Sequence, residues 1–149
     1  GLLSRRGLER RLASGLPMGS QHQTADPAQP ELLLKLRITP PSPADLMPEE
    51  LERIASALEQ LSAQHHGLAA HGGGGRFSLL LCGLRGEAVP ALLEALTEQL
   101  QPLVVVAGIC VLPAEVDAPA RLAGLAAADQ ALAEACDAGA PWQFAGPAV

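Results

Sequence analysis

The chain has 149 residues, enough for one domain with a buried core, and 48% of them are hydrophobic. Its formal net charge is −6, and only 2% of its residues are aromatic. Nucleic-acid-binding domains usually have a basic face, and those that bind single strands carry aromatic stacking platforms, so the composition argues against nucleic acid as a partner. No apolar run approaches the roughly 20 residues of a membrane-spanning helix, so direct membrane insertion is not expected either.

Residues 2–14 have the spacing of a short helix. A basic cluster in this helix is typical of a solvated face: Arg5, Arg6, Arg10 and Arg11. The Gln-, Gly- and Pro-rich segment from about residue 15 to residue 30 predicts a flexible loop. Residues 32–38 predict a strand, which cannot continue through Pro40, Pro41 and Pro43 because proline lacks the donor that the ladder needs.

A second helix is predicted to begin near Pro48 and can end at Gly67. Its buried stripe is expected at Leu51, Ile54, Ala55, Leu58 and Leu61. A hairpin follows, in which residues 68–70 and 77–81 flank the glycines 72–75. Glycine takes the positive φ angles of a tight turn without steric cost, so the turn is placed in this run.

Residues 87–100 predict a third helix that buries Val89, Leu92, Leu93, Leu96 and Leu100. Residues 103–112 form a nearly continuous apolar run, which is typical of a central strand covered on both faces. A last helix is predicted over about 118–138, and residues 140–149 are expected to be a C-terminal tail or linker. Without the first and last helices the order is β-α-β-β-α-β. We therefore predict an α+β, ferredoxin-like fold in a single domain of residues 1–149.

The three cysteines, Cys82, Cys110 and Cys136, are widely spaced and form no Cys-x-x-Cys pair. They predict neither a disulfide framework nor a zinc site, and are typical of small core residues in a reducing compartment. We therefore expect a cytoplasmic location, either for the protein as a whole or for the cytoplasmic part of a larger, membrane-anchored protein. The sequence begins in mid-pattern at Gly1, as an excised piece of a larger protein would.

Four segments together resemble one bacterial family. The hairpin residues are similar to a Gly-Gly-Asp-Glu-Phe signature that runs into an apolar strand: Gly73, Gly74, Gly75, Arg76 and Phe77. Residues 1–6 (GLLSRR) resemble an opening "GL-x-N-R-R" helix, and residues 105–109 (VVAGI) resemble a "V-S-I-G-I" strand. Residues 128–139 resemble an "A-D-x-A-L-Y-x-A-K-x-x-G" final helix. The chain thus resembles the GGDEF domains, which have a nucleotide-cyclase palm fold, over nearly its whole length.

The resemblance implies a diguanylate-cyclase site in which carboxylates of the first strand and of the hairpin hold divalent metals on a triphosphate. Here the first-strand positions correspond to Lys35 and Arg37, and the hairpin positions to Gly75 and Arg76. Positive side chains repel divalent cations. We therefore expect a degenerate domain with no catalytic residue, no metal and no cofactor.

Other positions that the resemblance assigns to ligand contacts are also changed. The phosphate-contacting Lys of the last helix corresponds to Cys136, and the Tyr before it to Ala133. The Arg-x-x-Asp product-inhibition motif should precede the hairpin, where the chain has Gln64 and Gly67 instead. Residues 39–45 replace the family's guanine-recognising helix with a proline-rich stretch. Active and inhibitory sites are both expected to be lost.

Two metal- or phosphate-binding alternatives have weaker support. His65, His66 and His71 are near Cys82 in the sequence, but their spacing matches no established ligand pattern. The glycine run lacks the Lys-Ser/Thr of a phosphate-binding loop, and its flanks read as strands.

These observations predict a catalytically inactive GGDEF domain that serves as a regulatory or protein-interaction module in cyclic di-GMP signalling. The implied partners are other domains of the same protein, such as an EAL domain downstream, or a separate protein. Trp142 and Phe144 are candidates for the junction, and capping of the core is an equal alternative. The alternative function is a nucleotide- or anion-binding sensor without turnover, in which Lys35, Arg37 and Arg76 converge.

Overall fold

A computed structural model of the chain describes residues 3–4, 7, 10, 31–41, 46–73, 75–84, 86–112 and 118–145. The helices with described bounds are α1 (Pro48–Gln64), α2 (Val89–Leu100) and α3 (Ala118–Ala138). The strands are β1 (Leu3–Ser4), β2 (Glu31–Thr39), β3 (Leu68–Gly73), β4 (Arg76–Cys82), β5 (Val104–Leu112) and β6 (Trp142–Phe144), and a short 3-10 turn, Gly86–Ala88, leads into α2. The loop predicted at 15–30 lies outside the described residues.

The six strands form one sheet in the order β1-β3-β4-β2-β5-β6. Strand β2 pairs antiparallel with β4 on one side and with β5 on the other, and β3 pairs antiparallel with β4. The two outer pairs, β1 with β3 and β5 with β6, are parallel. The elements β2-α1-β3-β4-α2-β5 confirm the predicted ferredoxin-like core.

The central strand β2 separates two packed faces because alternate residues of a strand point to opposite sides. Its even-numbered residues lie in the larger core with residues of α1 and α2: Leu32, Leu34, Leu36 and Ile38. Leu33, on the other face, packs with Leu125 of α3 in a smaller cluster. Helix α3 therefore covers the face opposite α1 and α2. None of the described helices is long and apolar enough to cross a membrane.

Helix α3 is held against the sheet by backbone proximity and by an ion pair. A Cβ atom at Gly108 of β5 would collide with the Ala128 carbonyl oxygen and the Leu132 nitrogen of α3. Near the start of the helix, the Arg121 guanidinium donates to both carboxylate oxygens of Glu31, at 3.0 and 2.9 Å. Both side chains are largely buried, so the pair fixes where α3 begins on β2.

The structure corrects several local predictions. Leu3 and Ser4, predicted within a helix, form β1, where they pair with backbone groups at the edge of β3. Residues 142–144, predicted as tail or linker, form β6 on β5. Helix α1 ends at Gln64 rather than at Gly67, because the next residues turn into β3.

In β5 the face toward α1 and α2 carries odd-numbered residues such as Val105, so Val104 and Val106 point to the other face. Val104 is 46% exposed. The predicted core positions of α1 and α2 are confirmed for Ile54, Leu58, Leu93 and Leu96, and Leu51, Leu61 and Leu92 pack at the periphery.

We expect Leu58→Ala to lower the free energy of unfolding by about 2–5 kcal/mol, because it opens a cavity between α1 and the sheet. The matched control is Leu122→Ala on α3, since Leu122 is 37% exposed whereas Leu58 is 0% exposed. Urea unfolding followed by circular dichroism measures both. An equal effect of the two substitutions would contradict the placement of α1 on the sheet.

Candidate functional site

The C-terminal end of β2 lies directly beside the glycine hairpin, as the sequence predicted. Arg37 is the register partner of Arg76, and Lys35 is the partner of Ser78. Just beyond, the Ile38 N–H donates to the Gly75 carbonyl at 2.8 Å. The positions that the resemblance assigns to the metal-binding carboxylates of strand and hairpin are therefore neighbours.

The hairpin turn depends on Gly75. This residue has φ +77°, in the left-handed region, and an added Cβ atom would stand 2.6 Å from the Ile38 carbonyl oxygen. Of the other signature positions, Gly73 ends β3, Arg76 and Phe77 begin β4, and Gly74 lies outside the described residues.

Helix α3 completes a cleft over this junction, with a cavity volume of about 240 Å³. Its lining consists of Arg37, Arg76, Asp129, Leu132, Ala133, Cys136 and Asp137. Arg37 Nη1 lies 3.8 Å from the Cys136 Sγ and donates to it. The residues that correspond to the family's phosphate-contacting Lys and neighbouring Tyr, Cys136 and Ala133, thus lie at the same cleft as the two arginines.

Two carboxylates in this cleft were not predicted as site residues. Asp129 and Asp137 lie eight residues apart on α3 with Ala133 midway between them, and this i, i+4, i+8 spacing was the available signal for a shared face. The described part of the lining therefore contains two guanidinium groups and two carboxylates.

Lys35 does not line the cleft, so only two of the three cations predicted to converge do so. It is 8% exposed and lies two residues before Arg37, opposite Gly108 of β5, on the face that α3 covers. The third cation is therefore held within the packed layer rather than presented to a ligand.

The histidines do not form a metal centre in the described part of the chain, where no group of three or more His, Cys, Asp or Glu side chains could hold an ion. The His71 ring stacks on Phe77, with centroids 4.7 Å apart and planes at 11°. Its Nε2 atom is buried and has no hydrogen-bond partner among the described residues. His71 therefore serves as a ring that packs at the hairpin.

The positions predicted for the lost inhibitory motif are at the end of α1. Gln64 and His65 line a groove between α1 and α2, with a cavity volume of about 410 Å³, whose other lining residues are alanine, leucine and glutamine. Gly67 packs so closely on β4 that a Cβ atom there would collide with the Leu80 carbonyl oxygen. Among the described residues, no Asp, Glu, Lys or Arg side chain lines this groove.

The thiols of Cys82 and Cys110 are poor nucleophiles. Burial, reinforced by the nearby Glu31 carboxylate, raises the pKa of Cys82 to about 11. Burial also raises the pKa of Cys110. Both thiols are therefore protonated near neutral pH, whereas the thiolate is the reactive form.

No protein-family model and no curated protein sequence matches the chain. Solved structures do match it. The GGDEF domain of DgcB from Caulobacter crescentus, solved in complex with c-di-GMP, superposes with a TM-score of 0.68 over 97% of this chain and 91% of that one, at 15% identity. The chain has the fold of a GGDEF domain.

Other GGDEF structures agree. The active GGEEF domain of a diguanylate cyclase from Vibrio cholerae matches with a TM-score of 0.62, 18% identity and coverage of 99% of this chain and 100% of that one. Diguanylate cyclase SiaD from Pseudomonas aeruginosa, solved in complex with its activator SiaC, matches with a TM-score of 0.56 and 18% identity, over 93% of this chain and 56% of that one. The predicted GGDEF fold is confirmed, and the roles assigned to single residues stay predictions.

We expect Gly75→Ala to destabilise the domain by about 1–3 kcal/mol, because a Cβ atom is strained at positive φ and approaches the Ile38 carbonyl. Gly72→Ala is the control, since the nearest atom to its added Cβ is 3.6 Å away. We expect the control to be neutral or slightly stabilising. Thermal unfolding compares the two, and a Gly75→Ala variant as stable as Gly72→Ala would contradict the turn geometry.

Proposed function

We propose that this chain is a catalytically inactive GGDEF domain that acts as a regulatory, protein-interaction module in cyclic di-GMP signalling. The observation that carries the proposal is the pairing of Arg37 with Arg76 across β2 and β4. The resemblance assigns both positions to carboxylates that hold metal ions. Two guanidinium groups at this point oppose divalent cations instead of binding them.

The two aspartates of α3 are not a substitute pair of ligands. Asp129 and Asp137 are eight residues apart on one helix, which separates their backbones by about 12 Å along the helix axis. Carboxylate oxygens must lie about 2.0–2.6 Å from a bound Mg²⁺ or Ca²⁺, so both cannot hold one ion. Each is instead placed to balance the charge of the arginines in the cleft.

The interaction role rests on a fold that is complete although the ligand positions have changed. The larger core includes fully buried residues of β2, β4, α1 and α2. A protein contact also has a parallel among GGDEF structures, since SiaD was solved in complex with its activator SiaC. For this chain we propose a contact in the cytoplasm with another domain of the same protein, such as an EAL domain, or with a separate protein.

We expect the purified domain to form no cyclic di-GMP from GTP with Mg²⁺ or Mn²⁺, because cations occupy the proposed metal positions. Chromatography of the reaction products against a no-protein control measures this. The double variant Gly75→Asp/Arg76→Glu should also be inactive, since Arg37 remains and position 75 requires positive φ. Product formation above the control by the unmodified domain would refute the proposal.

We expect the dissociation constant for cyclic di-GMP to be weaker than about 100 μM, a binding free energy no more favourable than about −5.5 kcal/mol. Gln64 and Gly67 supply no charged group that pairs with a phosphate or a guanine edge. Isothermal titration calorimetry checks this, with the DgcB GGDEF domain as a positive control because that domain was solved with bound c-di-GMP. Low-micromolar binding by this chain would contradict the expectation.

The alternative is a sensor that binds a nucleotide or another anion without turnover. The observation in its favour is that Arg37 and Arg76 share one cleft, and the opposing observation is that Asp129 and Asp137 line the same cleft. GTP titration separates the two functions. A sensor requires saturable binding that Arg37→Ala/Arg76→Ala abolishes, whereas an interaction module requires none.

A further inference from the structure

A second cleft lies on the other face of the sheet, between α2 and β6. Its cavity volume is about 540 Å³, and its lining consists of Leu93, Glu94, Thr97, Glu98, Val105, Pro141 and Trp142. None of these residues lines the cleft that contains Arg37 and Arg76, which we call the arginine cleft. Trp142 pairs in register with Ala107 and packs at the border of the larger core, so its side chain lies on the side of the sheet that α1 and α2 cover.

The chemistry of this cleft suits a cation. Glu94 and Glu98 are one helical turn apart on α2 and both are exposed, and Trp142 presents a half-buried indole beside them. An indole face attracts an ammonium or guanidinium group through its quadrupole, and two nearby carboxylates add to this attraction. The described lining contains no basic side chain that could pair with these carboxylates.

The cleft opens beside the outer edge of β6, with which no strand of the described part of the chain pairs. Strand β6 is the last strand of the sheet. The Pro141 carbonyl accepts from the Ala107 N–H at 3.0 Å, and the Ala145 N–H donates to the Ile109 carbonyl at 2.7 Å, so residues 141 and 145 direct backbone groups toward β5. Successive residues alternate in direction, and therefore Trp142 and Phe144 direct their N–H and C=O groups outward, where no other described strand pairs with them.

We propose that this edge binds an extended segment of a protein partner that adds a strand to β6 and places a basic side chain between Glu94, Glu98 and Trp142. Main-chain hydrogen bonds to an open edge supply affinity, and a pocket for one side chain supplies specificity. The inference rests on the proposed interaction function and specifies its surface and the chemistry of its partner.

The negative charge of the cleft favours a basic partner segment over a second copy of the chain. Pairing of two β6 edges would bring the Glu94 and Glu98 carboxylates of both copies to one seam, and the chain as a whole carries a net charge of −6. Like charges at a contact oppose association. A basic segment instead meets complementary charge on approach.

Tryptophan fluorescence can report peptide binding at this cleft, because Trp142 is the single tryptophan of the chain and there is no tyrosine. The probe is an acetylated and amidated pentapeptide of alternating valine and arginine, titrated at low ionic strength. We expect a saturable change in tryptophan emission. The same peptide with neutral citrulline in place of arginine, and the variant Glu94→Gln/Glu98→Gln with the arginine peptide, should each bind at least about fivefold more weakly.

Two controls make the result specific. Glu52→Gln removes an exposed carboxylate from α1 and should leave the titration unchanged. An arginine peptide that is N-methylated at every residue keeps its charge but has no backbone N–H to donate to β6, and it should bind more weakly than its parent. Circular dichroism establishes that each variant is folded.

The proposal is overturned if the arginine peptide produces no saturable change, or if the citrulline peptide, the N-methylated peptide or the double glutamine variant binds as tightly as its parent. A chain that sediments as a dimer through β6 also overturns it, since a second copy then occupies the edge. The GTP assay tests a separate claim. Product formation in that assay refutes catalytic inactivity, whatever the result of the peptide titration.

Discussion

The register of β2 is the constraint on which the rest of the structure depends. This strand pairs with β4 over seven residues, Glu31–Arg37, and with β5 over its full length. A shift of one residue would move Lys35 and Arg37 into the leucine core and four apolar side chains out of it, so the register is strongly specified. The opposition of Arg37 and Arg76 is a consequence of that core packing, and needs no attraction between two like charges.

Because side chains alternate along β2 and β4, the residues of the larger core and the arginines of the cleft lie on opposite faces of the sheet. Side chains of β2 and β4 that pack on α1 and α2 are fully buried, whereas Arg37 and Arg76 lie on the other face at the end of the ladder and are exposed. Exchange of a carboxylate for a cation at such a place changes ligand binding and leaves the core intact. For this reason the GGDEF fold is compatible with cations at these two positions of the ladder.

Much of this fold could be predicted because its longer elements have clear periods. The bounds of α3 and the two strands of the hairpin follow from helix and strand signals in the sequence. The two- and three-residue strands β1 and β6 could not, because a short segment has no period and pairs only where a neighbouring edge is free. Asp129 and Asp137 were missed as site residues for a related reason. Their spacing shows a shared helix face, and only the packing of α3 on β2 shows that the arginines lie beneath it.

The arginine cleft contains side chains of both charges. A metal-binding cluster of carboxylates carries excess negative charge when no cation is bound, and the mutual repulsion of the carboxylates favours cation binding. Here the described lining carries Arg37 and Arg76 together with Asp129 and Asp137, and Arg37 donates to Cys136. At the end of α1, the contact of Gly67 with the Leu80 carbonyl leaves no room for an acidic side chain. The close packing of the backbone at position 67 accounts for a glycine where the resemblance expects an acidic residue.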